Sequence, residues 1–166
     1  MDVKDFFLKQ KQALRVRTRQ VVDLVRPEHL EFSPAPGALS IREILRHMAV
    51  SEHGVRRVAL ENDFTYYETR IPQGMRVTLG EARTLEEMKQ DLERVHQETL
   101  AAVEAFPASR FEEERAREHL RYRRAVAAIL MGINEHEIHH RAQLMSYLRM
   151  LGSPVPEVSA RKDGRP

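Results

Sequence analysis

Four long segments of helical periodicity are the feature that most constrains how this chain can fold. In each segment apolar residues recur at steps of three and four, a spacing that places them on one face of an α-helix. Prolines, glycines and capping sequences bound the segments, and the chain contains only seven glycines in all. The pattern predicts an all-α protein, and four long helices of this kind favour a four-helix bundle.

Local signals set the expected limits of the helices. Helix one is predicted over about residues 3–26, with Phe6 among its buried positions, because a proline follows directly. Ser40 and Thr84 are each followed three residues later by glutamate, the form of a capping box that opens helices two and three. Helix four is predicted over about residues 122–151, before a glycine that can end it.

Helical periodicity fails between helices two and three, over residues 62–83. This stretch predicts a long ordered loop that could cover a site as a lid. Residues 108–120 are highly charged and favour neither helix nor strand. With 166 residues, one domain is expected, made of a bundle over residues 1–156 and a polar tail over residues 157–166.

Composition restricts the classes of function. No apolar run reaches the length that crosses a bilayer and the first residues are charged, so we expect a cytoplasmic protein without a membrane partner. The net charge is only +2, which gives little reason to expect nucleic-acid binding. The basic cluster at residues 121–124 has acids nearby and is interpreted as a solvated helix start. Without cysteine, any metal site must use imidazole and carboxylate.

The run His136-Glu137-Ile138-His139-His140 carries the main chemical signal. Histidines four apart project from the same side of a helix and can converge on one cation. A helical projection places His140 in the middle of the apolar face of helix four, His136 and Glu137 on its two shoulders, and His139 to the side. Burying such groups without partners costs roughly 1–3 kcal/mol each. Metal binding would compensate them, and so would hydrogen bonds among core histidines; we favour the metal.

A metal site needs at least a third ligand, and helix two offers one. The same projection places His47 on a shoulder of the apolar stripe of that helix, beside Ser51, whereas His53 falls on the opposite, solvent face. Glu52 could assist as an additional ligand, but a surface carboxylate is the favoured interpretation. The remaining histidines have no supporting pattern: His29, His96 and His119.

The spacing of His136, Glu137 and His140 also matches the zinc-metalloprotease pattern, in which the glutamate activates a zinc-bound water. Its context argues against a protease, because such folds usually combine the helix with a sheet and take a third ligand downstream. Here only Glu157 and Asp163 follow, on a short polar tail.

Two segments resemble a known family. Residues 40–47 read SIREILRH, and residues 134–144 read NEHEIHHRAQL before a closing YLRMLG at residues 147–152. The first is similar to the segment of helix two that ends in the first ligand histidine of the DinB/YfiT family of metal-binding four-helix bundles. The second is similar to that family's His-x-x-x-His-Arg-Gly-Gln signature and its final turn. The likeness extends over about residues 1–156.

The resemblance implies metal ligands at His47, His136 and His140, the same three residues that the helical projections bring forward. Two positions depart from the family pattern. Ala142 stands where glycine is common, and Leu39 stands where tryptophan is frequent. The first change is small and suits a helix; the second alters packing at the mouth of the expected pocket.

The resemblance also implies a chemistry. Relatives in this family include thiol-dependent S-transferases and hydrolases. The leading hypothesis is therefore an enzyme that joins a low-molecular-weight thiol to an electrophilic small molecule. It would hold a divalent metal ion, with zinc or nickel preferred. Glu137 is the candidate proton acceptor, and Tyr66, Tyr67 and Arg70 are candidate contacts to cofactor or substrate. A hydrolase and a non-catalytic metal-binding stress protein are the alternatives, and a homodimer is expected by resemblance.

Overall fold

Four long helices form most of the part of the chain that the structure describes. The structure, a computed structural model, describes residues 2–73, 79–82 and 84–155. The helices are α1 (Val3–Val22), α2 (Ile41–Glu61), α3 (Leu85–Ala105) and α4 (Val126–Met150). Helices α1 and α2 each pack against both α3 and α4, so α1 lies diagonally opposite α2. The predicted all-α bundle is confirmed, whereas the predicted tail at residues 157–166 lies outside the described residues.

Capping boxes open the two middle helices, as their sequences predict. The Ser40 hydroxyl accepts a hydrogen bond from the Glu43 backbone N–H, and the Glu43 carboxylate accepts one from the Ser40 N–H. Thr84 and Glu87 make the same reciprocal pair at α3. Each box satisfies two backbone donors that a helix start otherwise leaves open.

Helix α1 is shorter than its sequence predicts, and one of its predicted buried positions is wrong. It ends at Val22 instead of near Arg26. The backbone of Arg26 is extended, because the proline that follows, Pro27, disfavours a helical conformation at the residue before it. Phe6 was predicted to be buried, but its side chain is 42% exposed, and Phe7 is fully buried in its place. One residue along a helix is a rotation of about 100°, so adjacent phenylalanines cannot share a face.

The predicted start of helix four, near residue 122, is wrong. Residues Tyr122–Ala125 form strand β2, which pairs in antiparallel fashion with strand β1, Glu114–Arg117, and α4 begins only at Val126. The hairpin packs on the bundle through Phe64, whose ring makes an edge contact with Tyr122 at 5.3 Å and lies under the guanidinium of Arg117 at 4.4 Å. This support comes from a distant segment and is not visible in the local sequence.

The described part of residues 62–83 contains helical turns where the sequence predicts a loop. A π-helical turn runs over Tyr66–Arg70 and continues into Ile71–Gln73. The ring of Tyr66 packs directly on Gly54 of α2, where an added Cβ would lie 2.2 Å from the ring atom Cγ. Glycine is therefore what lets this turn approach the bundle. Whether the segment acts as a lid stays a prediction.

A polar layer divides the interior into two apolar clusters. One cluster gathers the C-terminal parts of α1 and α4 with the start of α2, and the other gathers their opposite ends with Phe64 and Phe111. Between them the helices place buried polar side chains at mid-height: Lys11, Arg15, Thr18, Ser51, Glu52, His96, Thr99, Asn134, Glu137 and His140. None of the described helices is long and apolar enough to cross a membrane.

Candidate metal centre

Three histidines meet at one point in the polar layer. His47 projects from α2, and His136 and His140 project from successive turns of α4. The Nε2 atom of His136 lies 2.9 Å from that of His47 and 3.1 Å from that of His140. One ring nitrogen of each residue lies within 4.8 Å of the other two. The helical projections predicted this meeting from the sequence, and the structure brings the three rings together.

Two of the three separations between these nitrogens are close to those around a small divalent ion. Tetrahedral zinc with Zn–N bonds of about 2.0–2.1 Å separates its ligand nitrogens by about 3.3 Å. The distances of 2.9 and 3.1 Å are shorter by only a few tenths of an ångström, which small side-chain rotations supply. Three neutral imidazoles would leave a fourth position for water or substrate, the arrangement of catalytic zinc sites.

Neighbouring side chains orient two of the rings. Nδ1 of His140 lies 2.7 Å from the amide oxygen of Gln143; that oxygen can only accept, so Nδ1–H donates and Nε2 keeps its lone pair for a metal. Nδ1 of His47 lies 3.3 Å from the Ser51 hydroxyl, which in turn lies 2.8 Å from the Tyr66 hydroxyl. The turn between helices two and three therefore supports the His47 ring through Ser51.

Burial keeps the three imidazoles neutral at ordinary pH. Desolvation, reinforced by the neighbouring histidines, lowers the pKa of His136 to about 3. Desolvation and His47 lower the pKa of His140 to about 4 against the opposing hydrogen bond to Gln143, and burial lowers that of His47. A metal ligand must be the neutral imidazole, so these rings need lose no proton before they bind an ion at neutral pH.

A cavity of about 770 Å³ lies beside the trio. His47 and His136 form part of its wall, and Tyr66 and Tyr67 line it from the π-helical turn, near the site as the sequence predicted. Arg70, the third predicted loop contact, instead lines a separate cavity of about 60 Å³. Contact of these residues with a substrate stays a prediction.

Glu137 points away from this cavity and into an ion cluster. Its Oε2 atom lies 2.7 Å from Nζ of Lys11 and 3.3 Å from a guanidinium nitrogen of Arg15. Burial by itself would raise the pKa of Glu137, but the charges of Lys11 and Arg15 outweigh burial and lower it to about 2. A carboxylate held in this way is a poor base, so its position does not suit the water-activating role of the metalloprotease pattern.

Glu52 was interpreted as a surface carboxylate, and that interpretation is wrong. Its side chain is 5% exposed, and its Oε2 atom lies 2.7 Å from Nζ of Lys11 and 2.6 Å from Arg15. It also lines the histidine cavity. Glu52 therefore belongs with Glu137 to one buried group of charges, the central ion cluster, which consists of Lys11, Arg15, Glu52 and Glu137.

Lys11 and Arg15 were missed in the sequence, although a signal was present. They fall within the buried stripe that runs from Phe7 through Leu14 to Thr18, at the steps of three and four that mark a core face. Basic residues at such positions need buried acids opposite them. The stripe therefore predicts that another helix supplies buried acids to Lys11 and Arg15.

The other histidines lie outside the trio. His139 is exposed at the cavity wall, with its ring 4.9 Å from that of His140. His53 was predicted on the solvent face but is half-buried, 3.7 Å from Glu98 of α3. His96, to which no role was assigned, is buried, and desolvation together with Arg15 lowers its pKa to about 4.

Comparison with known proteins agrees with this architecture. The sequence profile of the DinB superfamily matches residues 10–144, a span that includes the whole trio. The chain belongs to the DinB superfamily. The comparison with curated proteins found no match, so the superfamily assignment rests on the profile.

Solved structures of DinB-like proteins share the fold. A DinB-like protein from Bacillus subtilis superposes with a TM-score of 0.73 at 20% identity, covering 93% of this chain and 98% of that one. A DinB-like protein from Bacillus cereus gives 0.70 at 16% identity, with 92% and 95% covered. At these identities the likeness establishes the fold alone, and the resemblance noted in the sequence is confirmed at the level of superfamily and architecture.

Proposed function

We propose that this DinB-superfamily protein binds a divalent metal ion through His47, His136 and His140 and joins a small thiol to an electrophilic small molecule. The observation that carries the proposal is the convergence of three neutral imidazole nitrogens beside a cavity of about 770 Å³. A passive metal store would instead seal its ligands with apolar side chains. Zinc and nickel are the proposed ions, since both bind imidazole well.

The surrounding residues would prepare the site. Gln143 would fix the tautomer of His140, and Ser51 with Tyr66 would hold the ring of His47. A divalent ion bound there would favour the thiolate form of a coordinated thiol. The cavity walls would exclude bulk water from the electrophile, with Tyr67 and Tyr122 supplying flat apolar surface.

A hydrolase is the second candidate for the same centre. It would use the fourth position for water instead of a thiol. Glu137 is the proton acceptor that the sequence suggested, but its ion pairs with Lys11 and Arg15 favour a positioning role in either reaction. A homodimer and a cytoplasmic location stay predictions, which light scattering and cell fractionation would check.

Metal analysis of the purified protein tests the ligand set. We expect about one equivalent of metal in the wild type and its loss in His140→Ala. His139→Ala is the matched control, because its ring adjoins His140 but stays outside the trio. Gln143→Leu should retain the site but weaken affinity by about 10–100-fold, the usual effect of removing a hydrogen-bond partner from a ligand histidine. Equal metal content in wild type and His140→Ala would refute the assignment.

A turnover assay then separates the candidate activities. The metal-loaded protein is incubated with a panel of small thiols and electrophiles, and separately with esters and amides. Thiol-dependent loss of electrophile that disappears in His140→Ala supports the transferase. Hydrolysis without thiol supports the second candidate, and inactivity in both panels with metal bound would favour a passive metal-binding protein.

A further inference from the structure

The β1–β2 hairpin contributes arginines to the wall of the histidine cavity. Arg121, Arg123 and Arg124 all line it, together with two acids, Glu52 and Glu135. The sequence had suggested that this basic cluster was a solvated helix start. The structure confirms that these arginine side chains are exposed, but it places them on the hairpin and at the wall of the cavity instead of at a helix start.

The arginines of strand β1 are engaged by the protein itself. Arg115 is buried, donates to the backbone oxygen of Ala59 at 2.8 Å and lies 3.1 Å from the Glu113 carboxylate. Arg117 lies 3.3 Å from the Glu68 carboxylate in addition to its contact with the Phe64 ring. These cations anchor the hairpin to the bundle and are not available to a ligand.

Two arginines at the cavity have no such partner. Arg123 forms an ion pair with Glu114 at 2.6 Å. The side chains of Arg121 and Arg124, in contrast, make no hydrogen bond or ion pair in the part of the chain that the structure describes. Arg124 lies close enough to Tyr122 for its charge to oppose the rise in the pKa of that phenol, which burial causes.

The charges around the cavity leave a positive excess. Lys11 and Arg15 compensate Glu52 from behind the wall, so Glu135 is the single acid in the described wall that opposes the two unpartnered arginines. A divalent ion on three neutral histidines would add two more positive charges. Such a field attracts and retains anions, and a guanidinium fork matches carboxylate and phosphate oxygens well.

We infer that the cavity recognises an anionic small molecule, and that Arg121 and Arg124 bind its carboxylate or phosphate while its reactive group lies at the histidine trio. The part concerning the reactive group rests on the proposed function. The two arginines are specificity residues here, since they would bind the ligand at a distance from the reacting atoms.

Thiols with and without a carboxylate provide the test. Mercaptoacetate, mercaptobutyrate and mercaptohexanoate are titrated calorimetrically into the zinc-loaded protein, each beside its neutral carboxamide. The chain-length series lets the carboxylate find the arginines wherever they lie along the cavity. We expect at least one acid to bind about tenfold more tightly than its amide, the size of one charge-assisted hydrogen bond.

Variants of the hairpin decide whether the arginines cause this preference. Arg121→Asn combined with Arg124→Gln should remove it; asparagine suits residue 121 because its φ is 50°, a left-handed conformation that asparagine tolerates. Arg123→Gln is the matched control and should keep the preference, since Glu114 already engages that charge. An acid preference that survives in the double variant, or is absent from the wild type for every chain length, overturns the inference.

A metal-independent arm separates this inference from the proposed function. If the protein binds no zinc, inorganic phosphate is titrated into the metal-free protein and the amide signals of residues 121–125 are followed by NMR. Saturable shifts that disappear in the double variant support the anion site even though the metal proposal has failed. Shifts that are absent, or equal in both proteins, overturn it.

Discussion

Removing the amine of Lys11 should destabilise the protein severely, because the residue is buried together with the two carboxylates that it compensates. Its side chain is completely buried, and Nζ lies 2.7 Å from Oε2 of both Glu52 and Glu137. In Lys11→Met the packing volume is largely kept, but the two carboxylates share Arg15 alone. The perturbation therefore isolates charge compensation from packing.

The expected loss follows from the burial of the partners. Breaking a buried ion pair by removing one member costs about 3–5 kcal/mol, because an uncompensated charge stays in the interior. For a domain of this size each kcal/mol shifts Tm by about 2–4 °C, so Tm should fall by roughly 10 °C. The matched control is Arg19→Met on the same helix, whose pair with Glu93 is 56% and 40% exposed; surface pairs of this kind contribute at most about 1 kcal/mol.

The pH dependence gives a sharper signature. Without Lys11, one carboxyl of the pair should take up a proton in the folded state, so its pKa would lie above the unfolded value. A carboxyl with a raised pKa destabilises the folded state least at acid pH, where it is protonated without penalty. The destabilisation should therefore be larger at pH 8 than at pH 5. Urea unfolding of the metal-free protein at both pH values measures this. A loss below about 1 kcal/mol, equal at both pH values, would refute the buried ion cluster.

Three further substitutions probe the bundle around the site. Gly54→Ala should lower Tm and displace Tyr66, since the added Cβ would lie 2.2 Å from its ring; the expected cost is about 1–3 kcal/mol. Gly132→Ala is the control, because no atom lies within 4 Å of its added Cβ. It should be neutral or stabilise the protein by up to about 1 kcal/mol. Because the pKa of His96 is about 4 when folded and about 6.5 when unfolded, its share of the free energy of unfolding should fall by about 2 kcal/mol from pH 7 to pH 5. His96→Gln should show a correspondingly flatter pH dependence in urea titrations, and an unchanged slope would contradict the burial of this ring.

Sequence alone predicted those features whose cause is local. The capping boxes at Ser40 and Thr84 set the starts of α2 and α3 correctly. The four-residue spacing of His136 and His140 placed both rings on one side of α4, and the position of His47 on its own helix pointed toward the same interior. Helical period and capping depend on neighbours within about one turn, so a single segment contains the information.

Predictions failed where distant segments decide the outcome. Nothing around Glu52 shows that Lys11 and Arg15 reach it across the bundle. Likewise, residues 114–125 carry arginines on both faces of the hairpin and lack the alternation that marks a strand. The strands pack against Phe64 through Tyr122 and Arg117, and Phe64 belongs to another part of the chain.

The amino-acid sequence by itself determined four amphipathic helices, the capped starts of α2 and α3, and the three imidazoles that face inward. The tertiary structure decided which helices lie diagonally across the interior, and thereby that Lys11 and Arg15 of α1 compensate Glu52 and Glu137. It also placed the hairpin arginines on the cavity wall. The physical reason is range: backbone periodicity is fixed within a turn, whereas burying a charge is tolerable only after the fold has brought its counter-charge within hydrogen-bonding distance.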